Sequence, residues 1–182
     1  MRVITGTARG KRLITVPGDE LVRPTSEKVK EAVFSSIQFD IEGRRILDLF
    51  AGCGQLGIEA LSRGAESAVF VDASDVSLKV IKKNLEATGL VDSARVVRSD
   101  YSLFLSRCTE RFDIAFLDPP YYAGLLEKAL YALCPVMSDY GIIICEHPSD
   151  ITVPEEIGGF VVSRNYRYGK IAVTVYRKGG NP

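Results

Sequence analysis

From about residue 44 onward, short apolar runs alternate with longer amphipathic ones, and this alternation constrains the fold more than any other feature of the chain. The apolar runs are Arg45 to Phe50, Ser67 to Asp72, Ala94 to Arg98, Phe112 to Leu117 and Gly141 to Cys145. Between them lie helical patterns: one through Ile58, Ala60 and Leu61, one from Asp75 to Ala87, and one from Leu125 to Leu133. In the second, Val76, Val80 and Ile81 share one face and Lys79, Lys82 and Lys83 another. Strands alternating with helices imply βαβ units, and βαβ units imply a mostly parallel sheet with helices on its faces. The last two runs, Phe160 to Asn165 and Ile171 to Tyr176, are separated only by Tyr-Arg-Tyr-Gly-Lys. That spacing predicts a hairpin, so the final strand should run antiparallel to its neighbour.

The first 40 residues read differently. Val3-Ile4-Thr5 and Leu13 to Val16 are short β-like runs around a basic turn, and a helix is expected from Ser26 to Ile37 with Val29, Val33 and Ile37 on one face. The organisation expected is an N-terminal hairpin-and-helix extension over residues 1–40 and an α/β domain over 41–182. The 182 residues carry a formal net charge of zero, but residues 1–30 hold seven basic and three acidic side chains, leaving the rest at −4. A basic arm on an acidic body points to a phosphate-bearing partner. The four cysteines are far apart and there is one histidine, so no zinc-ligand spacing exists and no metal is expected. Without a signal-like or membrane-spanning apolar stretch, the expectation is a soluble cytoplasmic protein.

Two motifs carry chemistry. Asp48-Leu-Phe-Ala-Gly-Cys-Gly-Gln-Leu-Gly57 joins the first strand to the first helix, with Gly52, Gly54 and Gly57 permitting a tight turn and close backbone approach to a ligand. This spacing also fits a dinucleotide site, with Asp72 as the ribose acid. S-adenosylmethionine is favoured because Asp48 could receive an ammonium, whereas it would repel a pyrophosphate. Asp100 could meet an adenine amino group or cap the helix after it. The second motif, Asp118-Pro119-Pro120-Tyr121, ends the fourth strand. Two prolines make a stiff backbone whose carbonyls lack competing donors. With an Asp acceptor and a stacking ring, the motif suits a nucleobase bearing an exocyclic amino group. Tyr122, Tyr166 and Tyr168 are further candidates for lining a base pocket, while His147 reads as structural.

These residues, with Val3 to Leu13, Arg23-Pro-Thr-Ser-Glu-Lys-Val-Lys-Glu-Ala-Val-Phe34 and Ile58-Glu-Ala-Leu-Ser-Arg-Gly-Ala65, resemble the bacterial RsmD family over nearly the whole chain. Its enzymes methylate the exocyclic 2-amino group of one guanine in small-subunit (16S) ribosomal RNA. The resemblance implies a class I S-adenosylmethionine-dependent methyltransferase fold: a Rossmann-like, seven-stranded mixed sheet with an antiparallel last strand. It implies cofactor contacts by Asp48, Phe50, Ala51, Gly52, Gly54, Gly57, Asp72, Ala73, Asp100 and Tyr101, and a catalytic segment of Asp118, Pro119, Pro120 and Tyr121. It implies RNA contacts by Arg9, Arg12, Arg23, Pro24, Thr25 and Lys30. Cys53 and Gln55 stand where Ser and Ala are frequent, and Lys30 where Arg is, which keeps charge but loses bidentate geometry. The partner expected is ribosomal RNA, within a small-subunit particle, met by a monomer and no membrane. The alternatives are a DNA adenine amino-methyltransferase, a nucleotide oxidoreductase, or a non-catalytic RNA-binding assembly factor.

Overall fold

A computed structural model describes residues 1–17, 27–120 and 124–179. Its elements in chain order are α1 (Glu27–Ser36), β1 (Arg45–Leu49), α2 (Gln55–Ser62), β2 (Ser67–Asp72), α3 (Asp75–Thr88), β3 (Ala94–Arg98) and α4 (Tyr101–Arg107). They continue with β4 (Phe112–Leu117), α5 (Leu125–Leu133), β5 (Met137–Pro148), β6 (Glu156–Ile157), β7 (Phe160–Tyr168) and β8 (Ile171–Lys178). One sheet holds all eight strands in the order β3-β2-β1-β4-β5-β8-β7-β6. β1 to β5 are mutually parallel, and β8 inserts antiparallel between β5 and β7. The expected seven strands are therefore present, and an eighth, the two-residue β6, adds to the edge beyond β7. Two residues are too few to leave a periodic signal in a sequence.

The central strands are apolar because both faces are covered. Ile46, Ala68, Ile114, Phe116 and Ile144 face one core with α1, α2 and α3, whereas Leu47, Leu49, Val69, Ala115 and Ile143 face a second with α4 and α5. The expected stripe of α3 is corrected in part. Val76 is exposed, and Leu78, Ile81 and Leu85 form the buried seam. The Ser74 side chain accepts from Ser77 N at α3's start and Gly89 ends the helix in the left-handed region.

The closing hairpin is longer than its apolar pattern. β7 runs to Tyr168 and β8 starts at Ile171, so only Gly169 and Lys170 turn, with Gly169 at φ 63°. β5 likewise extends beyond its apolar core at both ends.

Residues 1–17 form a minimal hairpin with one bridge, between Arg2 and Arg12. It is held to the helices by buried polar groups. Glu59 accepts from Ile4 N (2.8 Å) and Thr5 N (3.0 Å). The Ser62 hydroxyl accepts from Ala8 N (2.9 Å) and donates to Thr5 O (2.6 Å). Gly6, at φ 88°, lies so close to α2 that an added Cβ would stand 1.7 Å from Ser62 O. Val3, Ala8, Leu13, Val29, Val33 and Phe34 belong to the same apolar cluster as the sheet residues above, and Phe34 meets Phe116 with ring centroids 5.5 Å apart.

Candidate active site

β1, β2, β3 and β4 end on the same side of the sheet, where the strand order reverses, which is where open α/β sheets bind ligands. A cavity of about 490 Å³ opens there. The loop after β1 contributes Phe50 and Gly52, the end of β2 contributes Asp72, Ala73 and Ser74, and the end of β3 contributes Ser99, Asp100 and Tyr101. Asp118, Pro119 and Pro120, directly after β4, complete the wall with Leu125. The two sequence motifs, distant from each other in the chain, thus share one cavity. Tyr121 and Tyr122 lie outside the described residues, as do Arg23, Pro24 and Thr25.

The glycine loop is shaped by its backbone. Phe50 is the one non-glycine among the described residues with positive φ (67°), an uncommon state for a bulky aromatic that is held here by its neighbours. Its ring lies against Tyr101, centroids 5.1 Å apart, so the loops after β1 and β3 clasp across the cavity mouth. Ala51 N donates to Val71 O (3.0 Å) and Gly54 N to Ala51 O (2.7 Å), closing the turn. Gly54, at φ 78°, begins α2.

Asp72 fastens this loop to β2. Its Oδ2 accepts from Gly52 N at 2.9 Å and its Oδ1 from Ser74 N at 2.8 Å. A carboxylate has about four lone-pair sites, so two remain for ligand hydroxyls. Asp100 caps α4, its Oδ1 accepting from Ser102 N (2.8 Å), Ser102 Oγ (2.6 Å) and Leu103 N (3.4 Å). These bonds, led by the Ser102 hydroxyl, lower its pKa and keep it anionic. Both roles expected of Asp100 are therefore compatible: it is the cap and it lines the cavity.

Four residues expected at the cofactor do not reach the wall. Asp48 is 3% exposed and lies beneath the loop, where its Oδ2 accepts from Gly57 N at 2.9 Å. Burial, opposed by the Gly57 bond and reinforced by Asp72, pushes its carboxyl up to about 7. Asp48 supports the loop from below and is not among the residues that line the cavity. Gly57 serves packing, since an added Cβ would stand 2.3 Å from Phe70 Cε1. Gly54 packs on Phe70 and Ile81, and Ala51 is buried. Ser74, Ser77 and Ser99 line the cavity but were not anticipated, because a single serine, after a strand or in the first turn of a helix, has no distinctive signature.

Lys30 is corrected outright. Its ammonium is fully buried, 2.6 Å from Arg2 O and 3.4 Å from Glu59 Oε2. Burial lowers its pKa against the pull of Glu59. Glu59 also binds Arg63 Nε at 2.9 Å. Lys30 thus joins α1, α2 and the hairpin and has no reach to a phosphate. Arg9 and Arg12 are exposed, Arg9 beside Arg2, Glu27 and Glu31. His147 is buried between Pro148 O and Thr174 Oγ1, each 2.9 Å away, as a structural residue would be.

The lining decides between ligands. Among the described residues no Lys, Arg or His lines the cavity, while Asp72, Asp100 and Asp118 do. Such a wall repels a pyrophosphate and accepts a cationic ligand with hydroxyls and an exocyclic amine. S-adenosylmethionine has that character; a dinucleotide does not. Sheet order, glycine loop and acid-lined cavity together define a class I S-adenosylmethionine-dependent methyltransferase.

Comparison with known proteins narrows this further. The family model described as "Conserved hypothetical protein 95" matches residues 1–177. The Bacillus subtilis protein YlbH is 41% identical over 99% of this chain and 100% of its own. "Ribosomal RNA small subunit methyltransferase D" of Escherichia coli is 33% identical over 98% of this chain and 90% of its own. The solved structure of yhhF from Escherichia coli superposes with a TM-score of 0.88 at 32% identity, covering 100% of this chain and 99% of that one. The chain belongs to this family, the RsmD methyltransferases.

Proposed function

We propose that the protein methylates the exocyclic 2-amino group of a guanine in small-subunit ribosomal RNA. The observation that supports this most is that Asp118, Pro119 and Pro120 share one acid-lined cavity with Asp72 and Asp100. S-adenosylmethionine would supply a methyl group on a cationic sulfonium. Asp72 offers its two remaining lone-pair sites to ribose hydroxyls, Asp100 an acceptor to the adenine amine, and Phe50 and Tyr101 an aromatic surround.

Asp118 and the carbonyls of the Pro-Pro segment accept hydrogen bonds from the guanine amine. An arylamine's lone pair is delocalised into its ring, and these acceptors localise it and aim it at the methyl carbon. Orientation of this kind can contribute ~7–11 kcal/mol. The methylated amine is acidic and gives its proton to water, so no strong base is needed. The guanine must leave its stack to reach Asp118, at a cost of a few kcal/mol, as for other base-modifying enzymes. Tyr121 would then stack on it, the role proposed from its place in the motif. The basic N-terminal hairpin, with Arg9 and Arg12, would hold RNA phosphates, and with zero net charge on the chain a ribosomal particle is the preferred substrate over naked RNA. The protein would act as a monomer in the cytoplasm, where such particles assemble.

Asp118→Ala tests the mechanism. Methyl transfer should fall by two or more orders of magnitude while calorimetric binding of S-adenosylmethionine persists. Turnover equal to the unaltered protein would contradict it.

A further inference from the structure

The β7–β8 hairpin has a character that the transfer reaction does not use. Between Phe160 and Ile171 it holds three basic residues, Arg164, Arg167 and Lys170, and no acidic one, in a chain whose net charge is zero. Tyr166 and Tyr168 stand two residues apart on β7, hence on one face of the sheet. Their rings are near-parallel, 24° between planes and 6.5 Å between centroids. Each is packed on one side against the apolar cluster under α1 and is half-buried, so the other side is open. Arg164 Nη1 donates to the Tyr166 hydroxyl at 3.2 Å, which sets a guanidinium at the edge of the ring pair.

The pair is rigidly placed relative to the active site. Leu117, the residue before Asp118, pairs with Cys145; the next residue of β5, Glu146, pairs with Val173, and Val173 pairs with Tyr166. Three strand spacings of about 4.8 Å separate Asp118 from Tyr166, a span of about 14 Å along the carboxyl edge of the sheet. The turn is fastened to the segment after β5 by Ser149, whose N donates to Lys170 O (2.9 Å) and whose Oγ donates to Gly169 O (3.0 Å). Paired, half-open rings on a sheet, flanked by cations, are the chemistry that single-stranded nucleic acid recognises: bases stack on the rings and phosphates meet the charges.

Building on the reading of the protein as an RNA methyltransferase, we propose that Tyr166 and Tyr168 stack an unpaired base of the RNA strand adjoining the target guanine, with Arg164 and Lys170 at its phosphates. The platform holds the strand a few nucleotides from the flipped base, so that flipping starts from an anchored strand. It acts on RNA binding, not on the methyl donor.

The test uses the full chain and small-subunit particles from cells lacking the enzyme. Tyr166→Leu with Tyr168→Leu keeps apolar packing but removes the stacking faces; the corresponding Phe pair keeps both. The Leu pair should raise the KM for the particle about tenfold or more, with kcat and the calorimetric affinity for S-adenosylmethionine within about twofold. The Phe pair should behave as the unaltered protein. An unchanged KM in the Leu pair, an equal loss in the Phe pair, or a loss of cofactor affinity in the Leu pair would each overturn the platform. Filter-retention binding of the particle's RNA reads it independently of transfer. Tyrosine-dependent retention without any methyl transfer would uphold the platform and fail the reaction; transfer with tyrosine-independent retention would do the reverse.

Discussion

Asp48, expected at the ligand, is buried beneath the glycine loop and braces it through Gly57 N. A carboxyl pushed up to about 7 by burial is protonated in the folded state at pH 5 but ionised in the unfolded chain, whose reference pKa is near 4. The folded state therefore binds more protons between about pH 4 and 7, and stability attributable to this group falls as pH rises through that window. Asp48→Asn keeps an acceptor for Gly57 N while removing the charge. Thermal melts across pH 4–8 should have a flatter pH dependence in this variant, and an unchanged slope would contradict the assignment. Lys30 carries the same lesson with opposite charge. The family resemblance and the net basic charge of residues 1–30 suggested a phosphate, but its partner, Glu59, is 29 residues away and is invisible to any local pattern. Glu59→Gln leaves that ammonium buried without a counter-charge, and chemical denaturation should register a loss of about 3–5 kcal/mol.

At the scale of elements, α2 and α3 each turn one side toward the cavity loop and another toward the N-terminal hairpin. Asn84, fully buried on α3, joins the two. Its Oδ1 accepts from Ile14 N (2.8 Å), and its Nδ2 donates to Ile14 O and to Cys53 O, each at 2.9 Å. Cys53 is the middle residue of the Gly52–Gly54 turn, so a single amide fixes both hairpin and cofactor loop. Asn84→Ala strands three backbone groups, at about 1–3 kcal/mol for each one left unsatisfied. The melting temperature should fall, and calorimetry below the new transition should find weaker S-adenosylmethionine binding. Full-strength binding in the folded variant would separate the loop from this support. The strands and helices were legible because their apolar periods are long enough to count. The two-residue β6 and the polar ends of β5 and β7 were not, because sheet pairing extends them past their apolar signal. The glycine loop's position was legible too. Which glycines face a ligand and which merely make room for Phe70 is decided by packing that a spacing motif does not encode.

For the whole molecule, the separation of charge matters more than its sum. The cavity wall is acidic and the hairpin that carries Arg9 and Arg12 is basic, so under the proposed function cofactor and RNA would be sorted by sign before any close approach. Replacing Arg9 and Arg12 by Ala should weaken RNA binding and reduce the steepness of its salt dependence by roughly 0.7–0.9 for each phosphate that is no longer neutralised. An unaltered slope would remove the hairpin from the interface. The proposed delivery of a methyl group from the Asp118 site to the 2-amino group of a guanine in small-subunit RNA is open to one direct measurement. Small-subunit particles from cells lacking the enzyme, incubated with the protein and methyl-labelled S-adenosylmethionine, would be digested to nucleosides and analysed by mass spectrometry. Label is expected in N2-methylguanosine alone, present with the unaltered protein and lost with Asp118→Ala. Label in a methylated adenine, or in N2-methylguanosine undiminished by that substitution, would contradict it.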